Sequence, residues 1–332
     1  MKYVFVINSH TTFLTALGTI DYLKLSENEI YFLYIRNYEN SIIKVPYITE
    51  NITIFQNVPL NKNRVRDEFI SRFDSFINNK ISSEYELFVP HLGNGLFQLL
   101  YTHPFCKKVS YIQEGGVPFK AAYKTHLSLF EKLSYGIYNK FILQTKRVWK
   151  PFKWYLKGSI KEDVNLDSYA ISNTFFRYLP SNNKIIRWPN IHVSVTIEEH
   201  STIFIFDGFA HHGFIEKELY MQLCGKLIKE NCDKKNYIRF HPAQDSHERE
   251  YIKSIFKEMA LPFEIMDENI PFELIISSTS NLKVAGFGSS LLFFAKDYGH
   301  TVICKDKWLS ESKLYRKYKQ KYGFEWFETI YK

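Results

Sequence analysis

The chain has 332 residues, of which 45% are hydrophobic, 17% aromatic and 23% charged, with a net charge of +8. The length suits two domains, the composition excludes a disordered chain, and the positive charge favours an anionic partner. No apolar run reaches the roughly 18 residues that span a bilayer, and the four cysteines form no C-x-x-C pair, which excludes an integral membrane protein and a zinc ribbon as classes.

Short runs of β-branched and aromatic residues alternate with longer amphipathic segments along the chain. This alternation predicts parallel sheets with helices on both faces. The predicted strands are 2–8, 30–35, 52–56, 85–90, 108–112, 202–207, 236–240, 263–267, 282–286 and 301–305, and the predicted helices are 11–24, 63–79, 95–102, 126–139, 213–231, 246–259, 271–277, 289–298 and 309–321.

The alternation breaks between about 145 and 200, where prolines and the polar run 181–184 indicate the end of one domain and a linker. We predict an α/β protein with two doubly wound, Rossmann-like domains facing a central cleft. The predicted domains are 1–165, with a linker to about 200, and 200–310, and a final helix in 311–332 is expected to pack back on the first domain.

Two strand ends of the predicted first domain carry candidate ligand-binding residues. Asn8 and Ser9 follow the first strand and supply polar groups at a helix start, which suits an anion or a sugar, although Ser9 could equally be a helix N-cap. Glu114 and Gly115 follow strand 108–112. Glu114 could project into the cleft while the glycine admits a ligand, or the segment could be a plain turn.

Three strand ends of the predicted second domain carry further polar motifs. A carboxylate followed by glycine could act as an acid or base, or shape a turn. A histidine held by a following proline can donate a proton or bind a phosphate. Glycine followed by two hydroxyls at a helix start suits a phosphate, or the first serine only caps the helix. These motifs are Asp207-Gly208, His241-Pro242 and Gly288-Ser289-Ser290.

The order Gln113-Glu114-Gly115, His241-Pro242, Ser289-Ser290 resembles the (D/E)-(D/E)-G, H-P and S-(S/T) motifs of bacterial two-domain sialyltransferases of the GT-B type. That group includes lipooligosaccharide sialyltransferases and capsular polysialyltransferases. The resemblance implies a GT-B fold and an inverting transfer of sialic acid from CMP-sialic acid to a glycan hydroxyl of lipooligosaccharide or capsular polysaccharide. It implies no cofactor and no metal, and the sequence accordingly has no D-x-D motif.

The resemblance also implies a role for each residue of the motifs. Glu114 would be the general base, and His241 would be the general acid or a hydrogen-bond donor to the departing phosphate. Gln113 occupies the first acidic position, so the base is Glu114 or else Asp207. The implied phosphate and donor residues are Asp207, Gly208, Pro242, Gly288, Ser289 and Ser290, with Glu273 at the ribose hydroxyls, and the implied substrate-side residues are Asn8, Ser9 and Gly115.

Other functions fit the same residue types. A GT-B transferase could use CMP-Kdo, a related CMP-nonulosonic acid or CDP-glycerol, and a non-catalytic nucleotide or nucleic-acid binder could exploit the +8 charge. No helix-turn-helix, RNP or zinc motif is present, so nucleic acid is not predicted as a partner. The predicted location is cytoplasmic. The basic residues of 313–321 alternate with tyrosines and could contact an anionic inner membrane, or they could form a solvated helix face.

Overall fold

Two compact units, 1–189 and 190–332, make up the chain in a computed structural model. The structure describes residues 1–36, 38, 43–59, 63–115, 133, 137, 138, 140, 145–148, 166–173, 175, 176, 181–191, 197–268 and 270–322.

The first unit contains a seven-stranded sheet. Its strands are β1 (Lys2–Ile7), β2 (Ile30–Tyr34), β3 (Ile48–Asn51), β4 (Tyr85–Val89), β5 (Cys106–Ile112), β6 (Leu166–Ala170) and β7 (Ser181–Ile185), and its described helices are α1 (His10–Leu23), α2 (Asn63–Lys80) and α3 (Gly95–Thr102). The strands are all parallel, in the order β3-β2-β1-β4-β5-β6-β7. The order reverses between β1 and β4, and in such sheets ligands bind beyond the carboxyl ends of the strands at this point.

The second unit repeats the same architecture on five strands. These are β8 (Thr202–Ile205), β9 (Asn236–Arg239), β10 (Phe263–Ile265), β11 (Lys283–Gly286) and β12 (Thr301–Cys304), and the helices are α4 (Lys217–Asn231), α5 (Ser246–Glu258), α6 (Phe272–Ser278), α7 (Ser290–Asp297), α8 (Asp306–Leu309) and α9 (Lys313–Tyr322). All five strands are parallel, in the order β10-β9-β8-β11-β12, and the order reverses between β8 and β11.

The apolar runs form strands because both faces of each sheet are covered. The last four residues of β1 and all five residues of β4 are buried, as expected for parallel strands between helical layers. Beside β8, a Cβ on Gly286 would lie only 2.8 Å from the Ile205 carbonyl oxygen, so this strand position requires glycine. The two sheets confirm the predicted fold class of tandem Rossmann-like domains.

The structure differs from the sequence prediction between 165 and 200. Strands β6 and β7 lie in the stretch predicted as a linker, and they extend the first sheet. The sequence of β7 is Ser-Asn-Asn-Lys-Ile, and such polar residues are tolerated because β7 is an edge strand with one neighbour. The strand predicted at 52–56 is also wrong: β3 precedes it, and residues 53–55 form a 3-10 turn.

The final helix also differs from its prediction. The predicted segment 309–321 contains two helices, α8 and α9. Tyr315 and Tyr318 of α9 pack into the core of the second unit, and Tyr315 is completely buried. Residues 323–332 and most of the predicted helix 126–139 lie outside the described residues. Among the described residues, no helix combines the length and hydropathy needed to cross a membrane.

Candidate active site

Glu114 is the second residue after β5, and three side chains from other strand ends surround its carboxylate. The Asn8 side-chain amide donates to Glu114 Oε1 at 2.6 Å, and the Arg36 guanidinium donates to the same oxygen at 3.3 Å. Nε2 of His91 lies 3.7 Å from Oε2, the other carboxylate oxygen. Oε2 accepts no hydrogen bond from the described residues. One oxygen is therefore held in place, and the other is buried with no hydrogen bond from the described residues.

Burial dominates the electrostatics of this carboxyl. Glu114 is 6% exposed, and desolvation raises its pKa against the opposing effects of the Arg36 charge and the hydrogen bonds from Asn8 and Arg36. Burial, with the Arg36 charge added, lowers the pKa of His91 to about 3. His91 is consequently neutral at physiological pH. Its Nδ1 accepts the Gly93 N–H at 3.0 Å, so Nε2 carries the ring proton and faces Glu114.

Gln113 is turned away from this cluster and joins two strand ends. Its side-chain oxygen accepts the Ile171 N–H at 2.9 Å, and its own N–H donates to the Tyr169 carbonyl at 3.0 Å. The side chain has no exposed surface. A neutral amide suits this position because an ionised carboxylate would lose its hydration there. The residue in the first acidic position of the motif is therefore structural, and Glu114 faces the polar cluster.

The substrate-side residues of the prediction have different surroundings. Asn8 contacts Glu114, as described above. The Ser9 hydroxyl accepts the Thr12 N–H at 3.2 Å and is the N-cap of α1, which corresponds to the alternative interpretation of this residue. Gly115 follows Glu114 and is half-buried. A substrate contact by these residues remains a prediction.

In the second unit, Asp207 joins the ends of β8 and β11. Its Oδ2 accepts the Gly288 N–H at 3.2 Å. The Tyr220 hydroxyl contacts both its backbone N–H, at 2.7 Å, and its backbone carbonyl, at 2.8 Å. Burial raises the pKa of Asp207 to about 7, and the Gly288 hydrogen bond opposes this shift. Asp207 thus holds the start of the Gly288-Ser289-Ser290 segment in position.

His241 follows β9 and packs against Gly208. A Cβ on Gly208 would lie 2.8 Å from His241 Nδ1, so this contact requires glycine. His241 Nδ1 accepts the Ala243 N–H at 3.1 Å, which leaves the proton of the neutral ring on Nε2. Burial, followed by His212 and His211, lowers the pKa of His241. At neutral pH the ring is therefore suited to donate a hydrogen bond from Nε2.

The remaining predicted donor residues lie around the same sheet edge. Ser289 is the N-cap of α7, where its hydroxyl accepts the Leu291 N–H at 3.3 Å, and Ser290 begins that helix. Pro242 is exposed. Glu273 is buried in the first turn of α6, and its charge acts on Arg239. The structure thus brings Asp207 to Gly288 and Gly208 to His241.

Three residues of these clusters were not singled out from the sequence. Arg36 and His91 each follow a predicted strand closely. The expectation that ligand-binding residues lie just after the carboxyl ends of parallel strands therefore applies to them as it does to Glu114. Tyr220 lies within a helix, and no pattern in the sequence marks its contact with Asp207. In the part of the chain that the structure describes, no three His, Cys, Asp or Glu side chains are arranged to hold a metal ion.

The chain was compared with known proteins. No protein-family model matches it, and no curated protein matches it. It is similar to the crystal structure of MurG from Acinetobacter baumannii, with a TM-score of 0.41 and 8% identity over 99% of this chain and 93% of that one. It is also similar to a glycosyltransferase from Rickettsia africae, with a TM-score of 0.44 and 9% identity over 91% of this chain and 78% of that one.

Proposed function

We propose that the protein is an inverting, metal-independent glycosyltransferase that moves sialic acid from CMP-sialic acid to a glycan hydroxyl of lipooligosaccharide or capsular polysaccharide. The observation that carries the proposal is Glu114, a buried carboxylate with one oxygen held by Asn8 and Arg36 and the other without a hydrogen bond from the described residues. The choice of donor rests on the resemblance of the three motifs to those of sialyltransferases.

The acceptor hydroxyl would give its proton to Glu114 Oε2. As the O–H bond breaks, the acceptor oxygen bonds to the anomeric carbon, and the bond from that carbon to the CMP phosphate oxygen breaks. A carboxyl whose pKa is raised by burial is a stronger base than a solvated one. A single displacement of this kind inverts the anomeric centre.

The second unit would stabilise the departing phosphate. His241 presents a neutral Nε2–H, which can donate to a phosphate oxygen on which charge develops. The start of α7 adds backbone N–H groups and the hydroxyls of Ser289 and Ser290. CMP departs as an anion, and Glu114 releases the acceptor proton to solvent before the next turnover.

A donor panel tests this proposal. The purified chain is incubated with a panel of galactoside acceptors and, separately, with CMP-sialic acid, CMP-Kdo, CDP-glycerol and a UDP-sugar, each with and without EDTA. We expect transfer from CMP-sialic acid only, undiminished by EDTA, with NMR showing the inverted anomer. Transfer from CDP-glycerol or the UDP-sugar instead, a retained anomer, or loss of activity in EDTA would contradict the proposal.

A further inference from the structure

A cluster of imidazole rings lies next to the proposed phosphate site. The loop of residues 209–214, here called the histidine loop, follows β8 and carries His211 and His212, both exposed. The ring centroids of His212 and His241 are 6.0 Å apart, and those of His211 and His212 are 5.2 Å apart. The carboxyl end of β8 thus presents a second imidazole beside the one held after β9.

The histidine loop has a defined shape. The His212 N–H donates to the Gly208 carbonyl at 3.1 Å, and the Phe214 N–H donates to the Phe209 carbonyl at 2.9 Å. Gly213 has a φ of 66°, in the left-handed region that favours glycine. The ring of Phe214 stacks on Tyr318 of α9 with centroids 3.8 Å apart. His212 is therefore presented on a fixed backbone.

The polar groups around the two rings include both cations and carboxylates. Burial lowers the pKa of His241, as do His212, His211 and Arg249 of α5, while Glu268 opposes them. Arg249 also donates to the His241 carbonyl at 3.3 Å. Among the carboxylates of this region, Glu268 is paired with Arg249 at 2.6 Å, Asp207 accepts from Gly288, and Glu248 interacts with His211. A phosphate bound beside the two rings could accept hydrogen bonds from their ring N–H groups.

Three loops therefore converge on the point where the order of the second sheet reverses. They are the histidine loop after β8, the His241 turn after β9 and the Gly288-Ser289-Ser290 segment after β11. We propose that His212 is a second imidazole ligand of the donor phosphate, acting with His241. This inference rests on the proposed function, because it takes the anion to be the phosphate of CMP. His212 adds a specificity for phosphate over the uncharged nucleoside.

Binding measurements test this role without any transfer reaction. CMP, cytidine and inorganic phosphate are titrated into the full-length chain by calorimetry, and the native protein is compared with His212→Asn and His200→Asn. His200 is an exposed histidine of the same unit with a φ of 61°, a conformation that asparagine adopts readily. Circular dichroism and thermal unfolding establish that both variants are folded.

We expect His212→Asn to weaken CMP binding about tenfold, equivalent to about 1.4 kcal/mol, and to weaken phosphate binding as well. Cytidine binding should not change, and His200→Asn should bind like the native chain. CMP binding unchanged in His212→Asn, or no CMP binding by the native chain, would overturn the inference. Histidine-dependent CMP binding without sialic acid transfer would contradict the proposed function alone, and transfer without His212 dependence would contradict this inference alone.

Discussion

The two oxygens of the Glu114 carboxylate have different tasks in the proposed reaction. Oε1 accepts from Asn8 and Arg36, which fixes the orientation of the group, and Oε2 is turned toward the neutral ring of His91. Desolvation makes the carboxylate more basic, while Arg36 limits that increase. The balance between these two effects sets the pH at which the base is ionised.

Removing the charge of Arg36 should shift the pH dependence of transfer. Glu114 acts as a base only when ionised, so activity is lost as pH falls through its pKa. Arg36 lowers that pKa, and Arg36→Gln should therefore move the acid limb of the kcat profile to higher pH. Arg64→Gln, on the exposed face of α2, is the control and should leave the profile unchanged. An acid limb of Arg36→Gln that stays in place or moves to lower pH would contradict the assignment of Glu114.

Substitutions of Asp207 separate a structural role from a catalytic one. Asparagine can still accept the Gly288 N–H, whereas alanine cannot. We expect Asp207→Asn to retain most of the transfer rate and Asp207→Ala to weaken CMP binding. A base would behave differently, because its amide variant loses about 100-fold or more in rate. Loss on that scale in Asp207→Asn, with CMP still bound, would identify Asp207 as the base in place of Glu114.

The same carboxyl makes the stability of the protein depend on pH. Its pKa is raised from 3.8 to about 7 on folding, so the folded chain holds this proton more tightly than the unfolded chain. The contribution of Asp207 to the free energy of unfolding therefore falls as pH rises from about 4 to about 7. Urea unfolding should show Asp207→Asn gaining stability relative to the native chain at pH 8 compared with pH 5, on the order of a few kcal/mol. An equal difference at both pH values would argue against the buried carboxylate.

At the scale of single elements, α9 supports the histidine loop. Tyr315 and Tyr318 both contact Phe209, and Tyr318 stacks on Phe214. The aromatic face of this helix is therefore occupied by its own unit, while Lys313 and Lys317 are exposed. If α9 contacts an anionic membrane, as the basic residues of 313–321 suggest, only its charged face can do so.

Tyr318→Ala should lower the stability of the second unit and its affinity for CMP. Loss of the stacked ring is expected to lower the free energy of unfolding by about 1–3 kcal/mol. CMP binding should also weaken, because the histidine loop loses its support. Lys317→Ala, on the opposite face of α9, is the matched control for thermal unfolding and calorimetry. Unchanged CMP binding in a destabilised Tyr318→Ala would show that the helix does not act on the loop.

The sequence predicts the buried strands well and the two edge strands of the first sheet, β3 and β7, poorly. In a layered α/β domain, a short continuous apolar run such as β4 is expected to form a strand that is buried on both faces. By contrast, β7 forms because its backbone pairs with β6, and nothing in the sequence Ser-Asn-Asn-Lys predicts this pairing. The same limit applies to the site. The sequence shows that Glu114 follows a strand, but it does not show the contacts of Glu114 with Asn8 and Arg36, which lie 106 and 78 positions away in the chain.

At the scale of the whole molecule, the two units share one strand arrangement and gather polar residues at equivalent places. In the first sheet the residues after β1, β2, β4 and β5 form the Glu114 cluster, and in the second the residues after β8, β9 and β11 form the donor cluster. Both clusters lie at the strands where the order reverses, which is where the loops diverge and leave room for a ligand. The repeated architecture thus explains why both sets of motifs follow strands.

The most direct test of the proposed function compares the native chain with Glu114→Gln in one assay. Glutamine keeps the shape of the side chain but cannot take a proton at neutral pH. Transfer from CMP-sialic acid and CMP affinity are measured on the same preparations. We predict that transfer falls at least about 100-fold while CMP binding is unchanged. Near-native transfer by Glu114→Gln would contradict the assignment of Glu114 as the base.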